Sequence, residues 1–130
     1  MNRRRSLSAP DIPAHTNPIP AATVVGNLLF TSAIGGEDPG THALPDDPGQ
    51  QIANVFQTIQ AILREAGAGT EDVGKVSVFL RNKPDRKLVN PHWVAMFPDE
   101  DSRPVRHTVE ADLPPGRYIQ VELIAVLPEA

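Results

Sequence analysis

The sequence predicts an α+β fold in which a mixed sheet carries two helices on one face. Short runs of alternating apolar residues, typical of strands, surround two stretches with helical spacing, in the order β-β-α-β-α-β-β. Two helices can cover only one face of such a sheet. The last strand keeps apolar residues on its second side, which indicates that another subunit covers that side.

The length of 130 residues suits one domain with a single core, and no internal repeat is visible. The 14 prolines concentrate in the connections and in the N-terminal segment. We therefore expect residues 1–14 to form a flexible tail and residues 15–130 to form the single folded domain.

Composition excludes several classes of function. A net charge of -4 and a single Trp and Tyr give no electrostatic footprint for nucleic acid. The absence of cysteine excludes disulfides, thiolate metal sites and a cysteine nucleophile, and it fits a reducing compartment. The basic start lacks a following apolar run, so we expect no signal peptide, no membrane anchor and a cytoplasmic location.

The first two strands are predicted within residues 21–34, where Gly26-Asn27 forms a tight turn between apolar, β-branched runs. A loop rich in Gly, Pro and Asp follows. Asp47 then suits a helix N-cap with Pro48 at the first helical position, and Gly67 suits the helix end. Between them, apolar residues at helical spacing predict one buried face.

Alternation over Val73–Arg81 predicts the third strand. A second helix is predicted around residues 88–97, and Pro91 interrupts it. Either the helix is kinked at Pro91, or Asn90 caps a shorter helix that begins there.

The last two strands are predicted at about Val105–Ala111 and Tyr118–Val126. In the first, Arg106, Thr108 and Glu110 share one face, and His107 points to the other.

Arg106 raises the first question of chemistry. A guanidinium is always charged, and its planar fork matches a carboxylate with two parallel hydrogen bonds, so a partly buried arginine needs an anion. Arg106 is then either a clamp for a carboxylate ligand or a structural partner of Glu110 or Glu122. The four histidines are scattered, and we expect no metal site and no cofactor.

Four segments in this order resemble the RidA/YjgF family of enamine and imine deaminases: "VGNLLFTSAIGG", "NVFQTIQAILREAGAGTEDVGKVSVFLRN", "VNPHWVAMF" and "RPVRHTVEADLPPGRYIQVELIAV". The resemblance runs from about Asn17 to Val126. It implies a chorismate-mutase-like fold, a homotrimer with ligand sites between subunits, and hydrolysis of enamines or imines to 2-oxo acids and ammonia without metal or cofactor.

The resemblance also implies a set of site residues. Arg106 matches the family's carboxylate-binding arginine, and Gln120 stands where the family has the glutamate that positions or activates the hydrolytic water. The remaining substrate-binding positions that it implies are Thr108, Asn90, Ser32, Ala33 and Ile19, the last in place of a family tyrosine.

Gln120 leaves two functions open, a hydrolase and a protein that binds ligand without turnover. An amide can orient water but cannot take its proton at ordinary pH. We expect a deaminase-like hydrolase acting on a small carboxylate-bearing metabolite, in a specialised catabolic pathway, with His15 or Glu122 as candidates for another base. The alternative is a trimeric ligand-binding or regulatory protein that has lost hydrolysis.

Overall fold

The computed structural model describes residues 3–128, which form a six-stranded mixed sheet and two α-helices. The strands are β1 (Arg4–Leu7), β2 (Ala22–Val25), β3 (Leu28–Thr31), β4 (Val73–Leu80), β5 (Val105–Glu110) and β6 (Ile119–Val126). The helices are α1 (Pro48–Ala66) and α2 (Arg86–Met96). The sheet order is β1-β2-β3-β6-β4-β5, in which β4 and β5 are parallel and all other neighbours are antiparallel. The predicted α+β class is confirmed.

The ends of α1 agree with the sequence prediction. The Asp47 carboxylate accepts a hydrogen bond of 2.9 Å from the Gln50 amide, and Pro48 occupies the first turn. At the other end, Gly67 has φ +76°, a left-handed conformation that glycine adopts without steric cost. Both ends are therefore set by local chemistry.

Helix α2 runs through Pro91 without a break, so the prediction of a shorter helix beginning at Pro91 is wrong. Asn90 is an internal residue of this helix rather than its cap. Packing of the helix offsets the backbone hydrogen bond that a proline cannot donate: Val89 and Met96 are buried, and the His92 ring stacks on Phe56.

Strand β1 corrects the predicted tail over residues 1–14. Arg4–Leu7 pairs with β2, and the side chains of Leu7 and Ile12 are buried in the core. The sequence did not predict this strand because Leu7 is the one apolar residue among its four, and Pro10 and Pro13 follow it. Residues 1 and 2 lie outside the described residues.

The two faces of the sheet differ. Register places Val76, Val78 and Leu80 on the same face as Ile119 and its neighbours at every second position, and this face is buried under the helices. The other face, here called the helix-free face, carries exposed apolar side chains: Leu28, Val105, Ile124 and Val126. Neither described helix is long and apolar enough to span a bilayer.

Candidate functional site

A cavity of about 350 Å³ opens where the end of β3 meets residues 12–17, helix α1 and strand β6. Three residues that the sequence predicted for the site line it: Ser32, Ala33 and Gln120. The Ser32 amide and hydroxyl both donate to the Ala21 carbonyl, at 3.0 and 3.1 Å, which fixes the chain where it leaves β3. The structure thus brings together part of the predicted site.

The strongest electrostatic feature of this cavity is an ion pair between Glu37 and Arg117, which the sequence did not predict. The Arg117 guanidinium donates from Nη1 to Glu37 Oε1 at 2.8 Å and from Nη2 to Oε2 at 3.4 Å. Both side chains are about three-quarters buried, with 20% of Glu37 and 26% of Arg117 exposed. The two residues are 80 positions apart, in separate connections, so no local pattern relates them.

The Glu37 carboxyl is tuned by opposing effects. Burial alone would raise its pKa. The hydrogen bonds from Arg117 and from the backbone, together with the charges of Arg117 and His15, outweigh burial and hold the pKa below the ordinary value of 4.5. Glu37 is therefore ionised at neutral pH.

Arg106 lies elsewhere, beside helix α2. Its Nη2 donates to Asn90 Oδ1 at 2.9 Å, and its guanidinium carbon lies 5.0 Å from the centroid of the Trp93 ring. Its Nη1 is buried and has no hydrogen-bond partner within residues 3–128. Burial and the nearby charge of Arg86 lower the pKa of Arg106 below its usual range, although an arginine stays charged at any ordinary pH.

The predicted structural partners of Arg106 do not pair with it. Among the described residues, no carboxylate oxygen lies within 4.0 Å of its guanidinium. Glu110 instead accepts from the Lys83 amide at 3.1 Å, and Glu122 lies on the opposite face of the sheet. The predicted ion pair of Arg106 with Glu110 or Glu122 is therefore wrong. The Arg106 guanidinium keeps a buried Nη1 donor without a partner among the described residues.

The other predicted residues are placed less decisively. Thr108 is half-buried on the same face as Arg106, since the two pair with Val78 and Val76 of β4. Ile19 is 48% exposed and does not line the cavity. Of the two candidate bases, His15 lines the cavity, whereas Glu122 borders a smaller depression on the helix-free face.

Within residues 3–128, no three His, Asp or Glu side chains come close enough to hold a metal ion. The polar groups that the structure offers for chemistry are carboxylates, guanidinium groups, amides, hydroxyls and one imidazole at the cavity.

Comparison with known proteins agrees with this fold. The family model described as Endoribonuclease L-PSP matches residues 10–127. The 2-iminobutanoate/2-iminopropanoate deaminase of Salmonella typhimurium is 30% identical over 124 residues, which cover 94% of this chain and 97% of the relative. A RutC family protein of Pyrococcus abyssi is 36% identical and is aligned over 87% of this chain and 89% of its own length.

Solved structures give the same result. The crystal structure of RidA from an Antarctic Psychrobacter species superposes with a TM-score of 0.86 at 30% identity, covering 95% of this chain and 99% of that one. The YjgF gene product of Escherichia coli superposes with a TM-score of 0.84 at 29% identity, covering 94% and 98%. The fold is therefore that of a small α+β, chorismate-mutase-like domain.

The chain belongs to the RidA/YjgF family, whose model carries the Endoribonuclease L-PSP description.

Proposed function

We propose that this protein is a cytoplasmic, homotrimeric enamine/imine deaminase that hydrolyses a small carboxylate-bearing imine to a 2-oxo acid and ammonia. The observation that carries the proposal is Arg106, a half-buried guanidinium with a buried, unpartnered Nη1 in the described chain. Such a donor is costly unless an anion meets it, and a ligand carboxylate is the anion whose two oxygens match the guanidinium fork.

The surroundings of Arg106 support a binding role. Asn90 holds one edge of the guanidinium through Nη2, and Trp93 covers its face. These contacts fix the orientation of the fork and leave the other edge for a ligand. A flexible surface arginine would have to lose side-chain entropy on binding, whereas Arg106 has already lost much of it.

The position of Gln120 supports a site shared between two subunits. Arg106 pairs with Val76 and Gln120 with Phe79, so the two side chains point to opposite faces of the sheet. Two strand spacings and three residues of offset also separate their backbones by about 10 Å in each direction. One small ligand can therefore reach both side chains only if they come from neighbouring copies. The exposed apolar residues of the helix-free face favour such an assembly.

The relatives support the reaction class. The Salmonella relative is named a 2-iminobutanoate/2-iminopropanoate deaminase, and it is aligned over nearly its whole length. The family description also names an endoribonuclease. A net charge of -4 without a basic stripe argues against RNA and for a small ligand.

Gln120 favours one alternative, a ligand-binding protein without turnover. Gln120 lines the cavity and stands where the family resemblance expects a glutamate, and an amide cannot accept the proton of water at neutral pH. This alternative predicts saturable binding of small 2-oxo carboxylates and no hydrolysis above the buffer rate.

The test is release of ammonia and pyruvate from 2-iminopropanoate generated in situ. We expect the wild type to exceed the buffer rate and Arg106→Ala to lose about 100-fold in kcat/KM, about 3 kcal/mol, since a buried charge-assisted pair is removed. Arg106→Lys should recover little, because an ammonium keeps the charge and loses the fork.

Lys87→Ala is the matched control: it removes one positive charge from an exposed position of α2 and should leave kcat/KM within about twofold. Equal rates in the wild type and in Arg106→Ala would remove Arg106 from the mechanism. Binding without turnover in the wild type would establish the alternative.

A further inference from the structure

The cavity holds a carboxylate that can do what Gln120 cannot. Glu37 and Gln120 line the same cavity, and Glu37 is the acidic residue among its lining side chains. Arg117 occupies one lone pair on each Glu37 oxygen, and a carboxylate has about four acceptor positions. Glu37 can therefore accept a further hydrogen bond from a water molecule.

The backbone at Gly35 lies in close contact with this ion pair. A Cβ atom built on Gly35 would collide with Glu37 Oε1 and Arg117 Nη1. The chain therefore passes directly against the two charged groups, and a side chain at position 35 would displace them. Gly36 is equally confined, since a Cβ there would meet Gln51 Cβ at 2.5 Å. The loop between β3 and α1 is thus packed tightly around Glu37.

Helix α1 presents a polar row to this loop, formed by Gln51, Asn54 and Thr58, which lie on one helix face by their spacing and are 0%, 1% and 3% exposed. Asn54 Nδ2 donates to the Gly36 carbonyl at 2.9 Å. Thr58 lines the cavity, and its hydroxyl oxygen has no hydrogen-bond partner in the described part of the chain. A buried hydroxyl left in this way is a polar group ready for a water molecule or a ligand.

His15 is the competing base, and it is held less firmly. It lines the same cavity but is exposed, on a segment without regular secondary structure. Glu37 is mostly buried and is oriented by two hydrogen bonds from Arg117. A catalytic base must be held in a productive geometry, which Glu37 satisfies better.

We propose that Glu37, oriented by Arg117, is the general base that accepts the proton of the attacking water in place of the glutamate that Gln120 replaces. This inference rests on the proposed deaminase function. In the first step, the water oxygen bonds to the imine carbon, the C=N π pair moves to nitrogen, which takes a proton from solvent, and Glu37 takes the proton that water loses. Glu37 then gives this proton to the carbinolamine nitrogen, and the hydroxyl loses its proton to solvent. The oxygen lone pair forms the C=O bond as the C–N bond breaks, and ammonia leaves. Imine and water give oxo acid and ammonia, with no oxidant or reductant.

The decisive variant is Glu37→Gln, which keeps an acceptor for Arg117 and removes the base. With 2-iminopropanoate generated in situ, we expect kcat to fall at least tenfold, in line with the roughly 100-fold and larger effects of general bases, while KM stays within about twofold. Glu65→Gln, an exposed change on the same chain with the same loss of charge, should retain the wild-type rate.

Rescue separates a base from a structural support. In the double variant Glu37→Gln with Gln120→Glu, a carboxylate again borders the cavity, and kcat should recover severalfold over Glu37→Gln alone. A structural role for Glu37 would not be repaired from position 120. Glu37→Asp, which keeps the charge but withdraws it by one methylene, should also lower kcat and serves if Glu37→Gln does not fold.

The outcomes distinguish this inference from the proposed function. If the wild type is active, Arg106→Ala is not, and Glu37→Gln keeps the wild-type kcat, the deaminase stands and Glu37 is not its base. If the wild type does not exceed the buffer rate, both proposals are overturned.

Discussion

At the scale of single residues, the Glu37 carboxyl is stabilised in its ionised form, and acid should reverse this. The pKa of Glu37 in the folded protein lies below its ordinary value of 4.5. Its ionised form therefore stabilises the fold at pH values above 4.5, and this contribution is lost as the pH falls through the folded-state pKa.

We predict that Glu37→Gln lowers the free energy of unfolding by about 1–2 kcal/mol at neutral pH, because a charge-assisted pair in a partly buried place becomes a neutral hydrogen bond. The difference between the two proteins should shrink as the pH falls through the folded-state pKa, below the ordinary value of 4.5, where wild-type Glu37 takes up its proton. Urea denaturation of both proteins over this pH range measures it. A gap that stays constant with pH would show that the charge of Glu37 does not stabilise the fold.

Single residues also show what the sequence could and could not predict about the site. Alternation along one strand was enough to put Arg106 and Thr108 on one face, because strand periodicity is local. The pair of Glu37 and Arg117 joins two irregular connections, and a loop has no period that would show where its side chains point. Gly35, whose backbone lies against this pair, has no side chain that could indicate the contact.

At the scale of elements, α1 serves as a scaffold for the loops as well as a wall of the core. Gln51 is fully buried, and its Nε2 donates to the carbonyls of Pro45 and Gly116, both at 2.8 Å. Its Oε1 accepts from the Tyr118 amide at 2.9 Å. One amide side chain therefore ties together the loop before α1 and the turn that leads into β6.

Replacing Gln51 with leucine should destabilise the protein by about 3 kcal/mol or more, because three buried backbone groups lose their partner at once. Gln57→Leu makes the same chemical change at an exposed position of the same helix and should stay within about 0.5 kcal/mol. Thermal and urea unfolding of both variants test this. Similar stabilities for the two would mean that the loops find other partners.

Elements were predictable where their signals were local. The caps Asp47 and Gly67, the turn at Gly26-Asn27 and the alternation in β6 agree with the structure. Strand β1 was missed because its stability comes from pairing with β2 rather than from its own composition. The path of α2 through Pro91 depends on packing that no short window of sequence contains.

At the scale of the whole molecule, the expectation that another subunit covers the helix-free face remains to be tested. It carries exposed Leu28, Val105, Ile124 and Val126, and a sheet face of this kind is usually covered. The sequence predicted its apolar character from the pattern of the last strand alone.

We predict that the wild type sediments as a trimer of 14.1 kDa chains and that Ile124→Glu dissociates it, because the buried charge would have no partner. Gln60→Glu adds the same charge on the exposed side of α1 and should leave the assembly intact. Analytical ultracentrifugation of the three proteins decides the matter. A wild-type monomer would contradict both the covered face and the shared site.

The place of strand β5 in the sheet affects how firmly Arg106 is held. It lies at the edge of the sheet and has one neighbour, β4, whereas β6 has neighbours on both sides. Its pairing with β4 is parallel and requires the chain to cross back through α2, so this pairing joins residues far apart in sequence. Within residues 3–128, Arg106 therefore lies on a strand that pairs with β4 alone, so a change that weakens this pairing should also disturb the guanidinium that we propose as the carboxylate clamp.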